Sequence, residues 1–169
     1  AWQLTLIDNI FTRVQDTFNV NFNQVTNYAL TDVAILGTSD NDASLNGNLG
    51  DSAFIVIGVI VDDYIAESGI PQVEWAAWVR NEWEKVFLHE VGHLLGLEHP
   101  WDQQDGDTDN DVDNGDPHAP TIMGYVGPNE HWDHWFEPID LYTLGSIWGV
   151  RGSDKQITDY QSDPLMVVT

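Results

Sequence analysis

His89, Glu90, His93, Gly96 and His99 stand in the spacing H-E-x-x-H-x-x-G-x-x-H. On an α-helix, residues four apart lie one above the other on the same face. His89 and His93 can therefore present two imidazole nitrogens to one Zn²⁺ at roughly 2.0–2.1 Å. Glu90 sits beside the metal without having to bind it, which leaves its carboxylate free to take a proton from a water. Gly96 is placed to stop the helix, because glycine enters left-handed backbone conformations at little cost. The chain turns there, and His99 comes back as a third ligand. Three protein ligands leave one position open for water and substrate, the mark of a catalytic zinc site rather than a structural one. A bare H-E-x-x-H also arises by chance in solvated helices; the added glycine and third histidine make coincidence far rarer.

Thr121-Ile122-Met123-Gly124-Tyr125 follows downstream. A lone methionine is ordinary core filler. Beside the histidine motif, with a tyrosine two residues on, the segment resembles the Met-turn of metzincin metallopeptidases. That resemblance implies a structural role for Met123 beneath the zinc site. It also implies that Tyr125 reaches the zinc or the reacting carbonyl, as in serralysins and astacins. A third match runs from Pro138 to Gly149. It is similar to the serralysin and matrixin helix that ends in D-[IL]-x-x-[IL]-x-x-[IL]-[YW]-G. From Val79 to Gly149 the chain thus resembles a serralysin-like metzincin catalytic domain; before Val79 the likeness is loose.

The resemblance implies an α/β fold of the metzincin (zincin-like) type. A twisted, mixed, mostly parallel sheet should lie over the active-site helix, with residues 1–96 as the N-terminal subdomain. Residues 97–169 should form a smaller C-terminal subdomain, with the zinc in the cleft between the two. A protein or peptide substrate should lie extended there and pair with an exposed sheet edge, for which Ala43 to Leu49 is the candidate. A secreted, monomeric enzyme is expected. The glycine-aspartate calcium repeats that usually follow a serralysin catalytic domain are not present in this sequence.

The 169 residues are enough for one domain with a sizeable core, and 42% of them are hydrophobic. The longest apolar run, Phe54 to Val61, is too short to span a bilayer and reads as a strand buried on both faces. No signal peptide opens the sequence, so an exported protein would be represented here in mature or trimmed form. Cysteine is absent, which excludes disulfides and thiolate metal sites. With 28 acidic and 5 basic residues the net charge is −23, a field that repels nucleic acid and anionic membranes. Such a charge serves solubility in a salty habitat, or else cation binding or attraction of basic substrates.

Leu4, Ile7, Ile10, Phe11, Val14 and Phe18 give a helical stripe over residues 2–18. Residues 20–26 and 33–38 read as strands, and 40–51 as loop. The active-site helix is predicted over about 74–95, with Val79, Trp83, Val86, Phe87, Val91, Leu94 and Leu95 as its apolar stripe. In the resembled family a strand precedes the first long helix and lies inside the sheet, whereas here that helix comes almost at once. The expectation is a missing native N-terminal segment, with Trp2 to Ile7 serving as that strand as the alternative.

Asp102, Asp105, Asp107, Asp109, Asp111, Asp113 and Asp116 crowd the stretch between His99 and the Met-turn. Ca²⁺ takes six to eight oxygens, often from alternating acidic residues in a turning loop. Asp105, Asp107, Asp109, Asp111 and Asp113 are its candidate ligands, although the EF-hand spacing is absent. The other reading is a solvated acidic loop. His118, His131 and His134 sit in stretches rich in Pro, Asn and Trp; His131-Trp132-Asp133-His134-Trp135 reads as a surface aromatic cluster, with a substrate-pocket wall or a further metal site as the alternative. Trp75, Trp78 and Trp83 read as packing, and Trp101, Trp132 and Trp135 as possible substrate contacts.

Together these features predict a zinc-dependent endopeptidase. Glu90 is its general base and acid, and Tyr125 assists at the oxyanion. Zn²⁺ is the cofactor, joined by Ca²⁺ if the acidic loop binds it. The alternatives are a pappalysin-like peptidase and a non-catalytic zinc-dependent binding or adhesion module. The intact Glu90 argues against the latter, since only chemistry needs that carboxylate.

Overall fold

The computed structural model describes residues 2–26, 31–38, 43–46, 53–58, 71–99, 121–124, 135–152 and 165–168. The elements are α1 (Trp2–Thr17), β1 (Phe22–Gln24), β2 (Val33–Thr38), β3 (Ala43–Asn46) and β4 (Ala53–Gly58). A 3₁₀ turn (Gln72–Glu74) then leads into α2 (Trp75–Leu94), followed by α3 (Pro138–Trp148) and β5 (Leu165–Val168).

The strands pair in the order β1-β5-β2-β4-β3. β2 and β4 run parallel over six residues, from Val33↔Ala53 to Thr38↔Gly58. Their Val, Ile and Phe content suits a strand pair buried inside a sheet. β3 is antiparallel to β4 and forms one edge of the sheet. Both β3 and β4 pack on α2.

Trp2 to Ile7 lies within α1 and is not a strand. The place between β1 and β2 is filled by β5, drawn from the far end of the chain. β5 runs parallel to both neighbours, with Phe22↔Leu165 on one side and Val33↔Val167 on the other. It thereby supplies ladder partners to backbone that would otherwise be left unpaired inside the sheet.

α1 buries Leu6, Ile7, Ile10, Phe11 and Val14. Leu4 belongs to the predicted stripe but is 51% exposed, and Leu6 takes its place in the core. Aromatic contacts join this helix to α2. Trp2 meets Trp83 edge-on at 5.6 Å, and Phe11 meets Phe87 edge-on at 5.8 Å. In α2 the buried residues include Trp83, Phe87, Leu88, Val91 and Leu94, while Val79 and Val86 are half-buried. Burying a side chain of this size contributes about 1.5–3 kcal/mol, so this seam anchors the helix that carries the histidines.

The end of α3 is tied back to the end of α1. Phe18 bridges Val150, and Asn19 N–H donates to Gly149 O at 3.0 Å. The Arg151 guanidinium donates to the carbonyls of Gln15, Phe18 and Val20. A cation at a helix C-terminus meets the negative end of the helix dipole and satisfies carbonyls the helix leaves open.

Candidate metal centre

α2 ends in a turn that fixes two of the three histidines. Leu95 caps the helix, and Gly96 follows with φ 98°, the left-handed region that glycine enters freely. Gly96 N–H donates to His93 O at 3.0 Å, and Leu97 N–H donates to Gly92 O at 2.9 Å. This pair of bonds is the Schellman arrangement, which satisfies carbonyls at a helix end and reverses the chain. The reversal brings His99 back over the face that bears His89 and His93.

The three imidazoles converge. His99 Nε2 lies 3.2 Å from His93 Nε2 and 3.2 Å from His89 Nε2. One ligand atom from each ring lies within 4.8 Å of the others. Two nitrogens bound tetrahedrally to one zinc at 2.0–2.1 Å would stand about 3.3–3.4 Å apart, so the donor set fits that ion.

The tautomers also fit. His89 Nδ1 lies 2.9 Å from Ile122 O, and His93 Nδ1 lies 2.9 Å from Leu97 O. A carbonyl only accepts, so each Nδ1 carries the hydrogen and each Nε2 keeps its lone pair for a metal. Burial pushes the His89 pKa down to about 4, with nearby His93, His99 and Lys85 adding to the effect and the bond to Ile122 opposing it. His89 is therefore neutral at pH 7, the form a ligand needs. Glu90, the next residue on α2, is buried.

Thr121, Ile122, Met123 and Gly124 are all buried beneath this site. A Cβ built on Gly92 would lie 2.6 Å from Met123 Sδ, so the helix has glycine where the methionine presses against it. Asp140 holds the segment in place. Its Oδ1 accepts the Thr121 hydroxyl, and its Oδ2 accepts Ile122 N–H at 3.0 Å and Glu137 N–H at 2.9 Å. Burial pushes the Asp140 carboxyl above its ordinary pKa, opposed by these three hydrogen bonds. At the other end of α3, Trp148 Nε1 donates to Leu95 O at 2.8 Å.

A model of the metallopeptidase family M12B, reprolysin-like, matches residues 31–147. The chain belongs to this family. Searches of the curated proteins and of the solved structures give no match. Membership makes the chain a metzincin-type metallopeptidase, a hydrolase that acts on proteins or peptides. It also agrees with the three-nitrogen donor set in supporting zinc as the ion.

The structure thus brings His89, His93, His99, Glu90, Gly96 and Met123 into one region. Tyr125 follows directly on Gly124 but lies outside the described residues. So do Asp105, Asp107, Asp109, Asp111 and Asp113, together with His118, His131, His134, Trp101 and Trp132. Trp135 is half-buried and packs under Arg13, whose guanidinium carbon lies 4.0 Å from the ring centroid. That contact ties it to α1. Sequence reasoning passed over the carbonyls of Ile122 and Leu97, because a backbone acceptor has no residue signature. Asp140 entered only as the first residue of the D-[IL]-x-x-[IL]-x-x-[IL]-[YW]-G match, with no role at the site attached to it.

Proposed function

We propose that this reprolysin-like metallopeptidase is a zinc-dependent endopeptidase in which Glu90 moves the proton. The observation that carries the reading is the convergence of three Nε2 atoms on one point, with Glu90 buried one residue after the first of them. His89, His93 and His99 would hold the zinc. Bound there, the ion would lower the pKa of a water toward 7 and polarise the scissile carbonyl. Glu90 accepts one proton from the water as its oxygen bonds to the carbonyl carbon. The Tyr125 hydroxyl donates a hydrogen bond to the developing oxyanion. As the C–N bond breaks, Glu90 passes its proton to the leaving amine.

The substrate reading rests on β3. It is an edge strand packed on α2, the helix that carries His89 and His93, so its outer side is free to pair with an extended peptide. The cleft is proposed to lie between an N-terminal part up to Gly96 and the chain that follows it, with the last strand, β5, returning from residues 97–169 to complete the N-terminal sheet. The sequence of α3 supports a serralysin-like relative within the wider family. No helix among the described residues is long and apolar enough to cross a membrane; secretion is proposed from the family resemblance. Calcium at Asp105, Asp107, Asp109, Asp111 and Asp113 is proposed from the density of hard oxygen ligands. Calcium would then raise the melting temperature more than sodium chloride at matched ionic strength, and an equal gain from both would leave only a screened acidic surface.

The test is cleavage of a casein-like protein, followed with zinc present and after chelation. Chelator-sensitive internal cuts are expected. A protein loaded with one zinc that cuts nothing would favour the non-catalytic binding module. Trimming of peptide ends alone would overturn the endopeptidase assignment.

A further inference from the structure

One buried charge lies near the site without touching the three histidines. Asp140 is 3% exposed, and burying a carboxylate is costly unless its oxygens are well bonded. A first-turn carboxylate needs only one acceptor to satisfy the helix start, and the bond from Glu137 N–H does that. The remaining bonds all come from the segment beneath the histidines.

These bonds form a chain with one direction. The Thr121 hydroxyl donates to Asp140 Oδ1. Thr121 Oγ1 in turn accepts Met123 N–H at 3.1 Å. Met123 N–H and Ile122 C=O belong to the same planar peptide unit. That carbonyl accepts His89 Nδ1–H at 2.9 Å. Every donor in the series points toward the carboxylate, so each bond polarises the next in the same sense.

Resting on the zinc reading above, we propose that Asp140 is a positioning residue that acts on the ligand His89 through Thr121 and the Ile122–Met123 peptide. A carboxylate bonded directly to a metal-bound histidine fixes its tautomer and raises its basicity. Here a hydroxyl and a peptide unit stand between the two groups. The Ile122 N–H bond to Asp140 Oδ2 at 3.0 Å adds a second hold on the same residue. The device fixes the direction of His89 Nε2 and strengthens it as a donor.

The test measures zinc affinity by competition with a fluorescent chelator, and the absorption spectrum of the cobalt(II)-loaded protein. The variants are Asp140→Asn, Thr121→Val and Thr121→Ser, with Val14→Ala as a control for lost stability. Val14 is fully buried in α1 and has no part in the series. Asp140→Asn and Thr121→Val should each weaken zinc binding about tenfold, the lower end for groups that support a histidine ligand. Both should shift the cobalt bands. Thr121→Ser keeps the hydroxyl and should restore both values. Val14→Ala should lower the melting temperature and leave zinc affinity unchanged.

Unchanged zinc affinity in both Asp140→Asn and Thr121→Val would overturn the proposal. So would an equal loss in Val14→Ala, which would trace the effect to stability alone. Should Asp140→Asn fail to fold, the contrast between Thr121→Val and Thr121→Ser decides the matter. Wild-type protein that takes up no zinc would overturn the metal reading itself, a result distinct from either of these.

Discussion

His89 Nδ1 lies 2.9 Å from the carbonyl oxygen of Ile122, 33 residues further along the chain. This contact couples α2 to the Thr121–Gly124 segment and sets the tautomer of the first ligand. It also explains why the histidine motif and the downstream methionine segment act as one unit. One supplies the ring and the other supplies the acceptor that orients it.

Replacing Glu90 with glutamine should retain zinc and lower turnover by at least about 10²–10⁴-fold, the usual worth of general acid–base catalysis. The amide is close in shape to the carboxylate but cannot accept the proton. Zinc content and peptide hydrolysis measured on the same sample check this. Turnover near wild type in the zinc-loaded variant would remove Glu90 from the mechanism.

Gly92 and Met123 should be energetically coupled. Met123 is 1% exposed, so Met123→Ala should cost about 2–5 kcal/mol. In Gly92→Ala the new methyl would lie 2.6 Å from Met123 Sδ and force it to move. Overpacking of this kind costs about 1–3 kcal/mol and exceeds the roughly 1 kcal/mol that alanine gains in a helix. In the double variant the methyl occupies space the methionine has left. The combined loss in urea unfolding should fall short of the sum by about 0.5–3 kcal/mol. Strict additivity would mean that the two residues do not touch in solution.

The sequence made the metal centre legible because helical periodicity and glycine's backbone freedom dictate where His89, His93 and His99 must meet. The extents of β2 and of the active-site helix could be read for similar reasons, from apolar runs and period. What escaped depends on tertiary context. Leu4 matches the α1 stripe, yet Leu6 is the residue that faces the core, because the packing partner sets the buried arc. β5 carries a plain Leu-Met-Val-Val run, and nothing local says that it enters the sheet between β1 and β2. Asp140 opens the D-[IL]-x-x-[IL]-x-x-[IL]-[YW]-G match of α3, but its burial and its bonds to Thr121 and Ile122 follow only from where α3 docks.

Removing the metal should leave a protein that weakens in mild acid through His89. Its folded pKa of about 4 lies below the ordinary histidine value of 6.5. The unfolded state therefore binds more protons between these values, and stability falls as pH drops through that window. Above pH 6.5 the contribution is fully present; below about 4 it is lost. The span amounts to something on the order of 3 kcal/mol. Protonating the many carboxylates relieves repulsion and acts the other way, so the comparison needs His89→Gln as its reference. Melting temperatures of the chelated proteins from pH 7 to pH 4 should fall more steeply for wild type than for the variant. Parallel curves would contradict the shift.

Trp148→Phe should destabilise the fold without the loss of zinc affinity expected of Asp140→Asn. Trp148 and Leu95 are both buried, and the indole N–H donates to Leu95 O at 2.8 Å across 53 residues of sequence. Phenylalanine keeps an aromatic ring there but leaves that carbonyl without this donor. An unsatisfied buried group costs about 1–3 kcal/mol. For a chain of this size each kcal/mol lowers the melting temperature by about 2–4 °C, so a drop of several degrees is expected. Leu95 lies between His93 and His99 in sequence, yet the bonds Gly96 N–H to His93 O and Leu97 N–H to Gly92 O hold the turn independently of Trp148. Zinc affinity well below the melting range should therefore stay close to wild type. If it fell tenfold instead, Trp148 would belong with the groups that orient the ligands; if the melting temperature did not move, the indole bond would not form in solution.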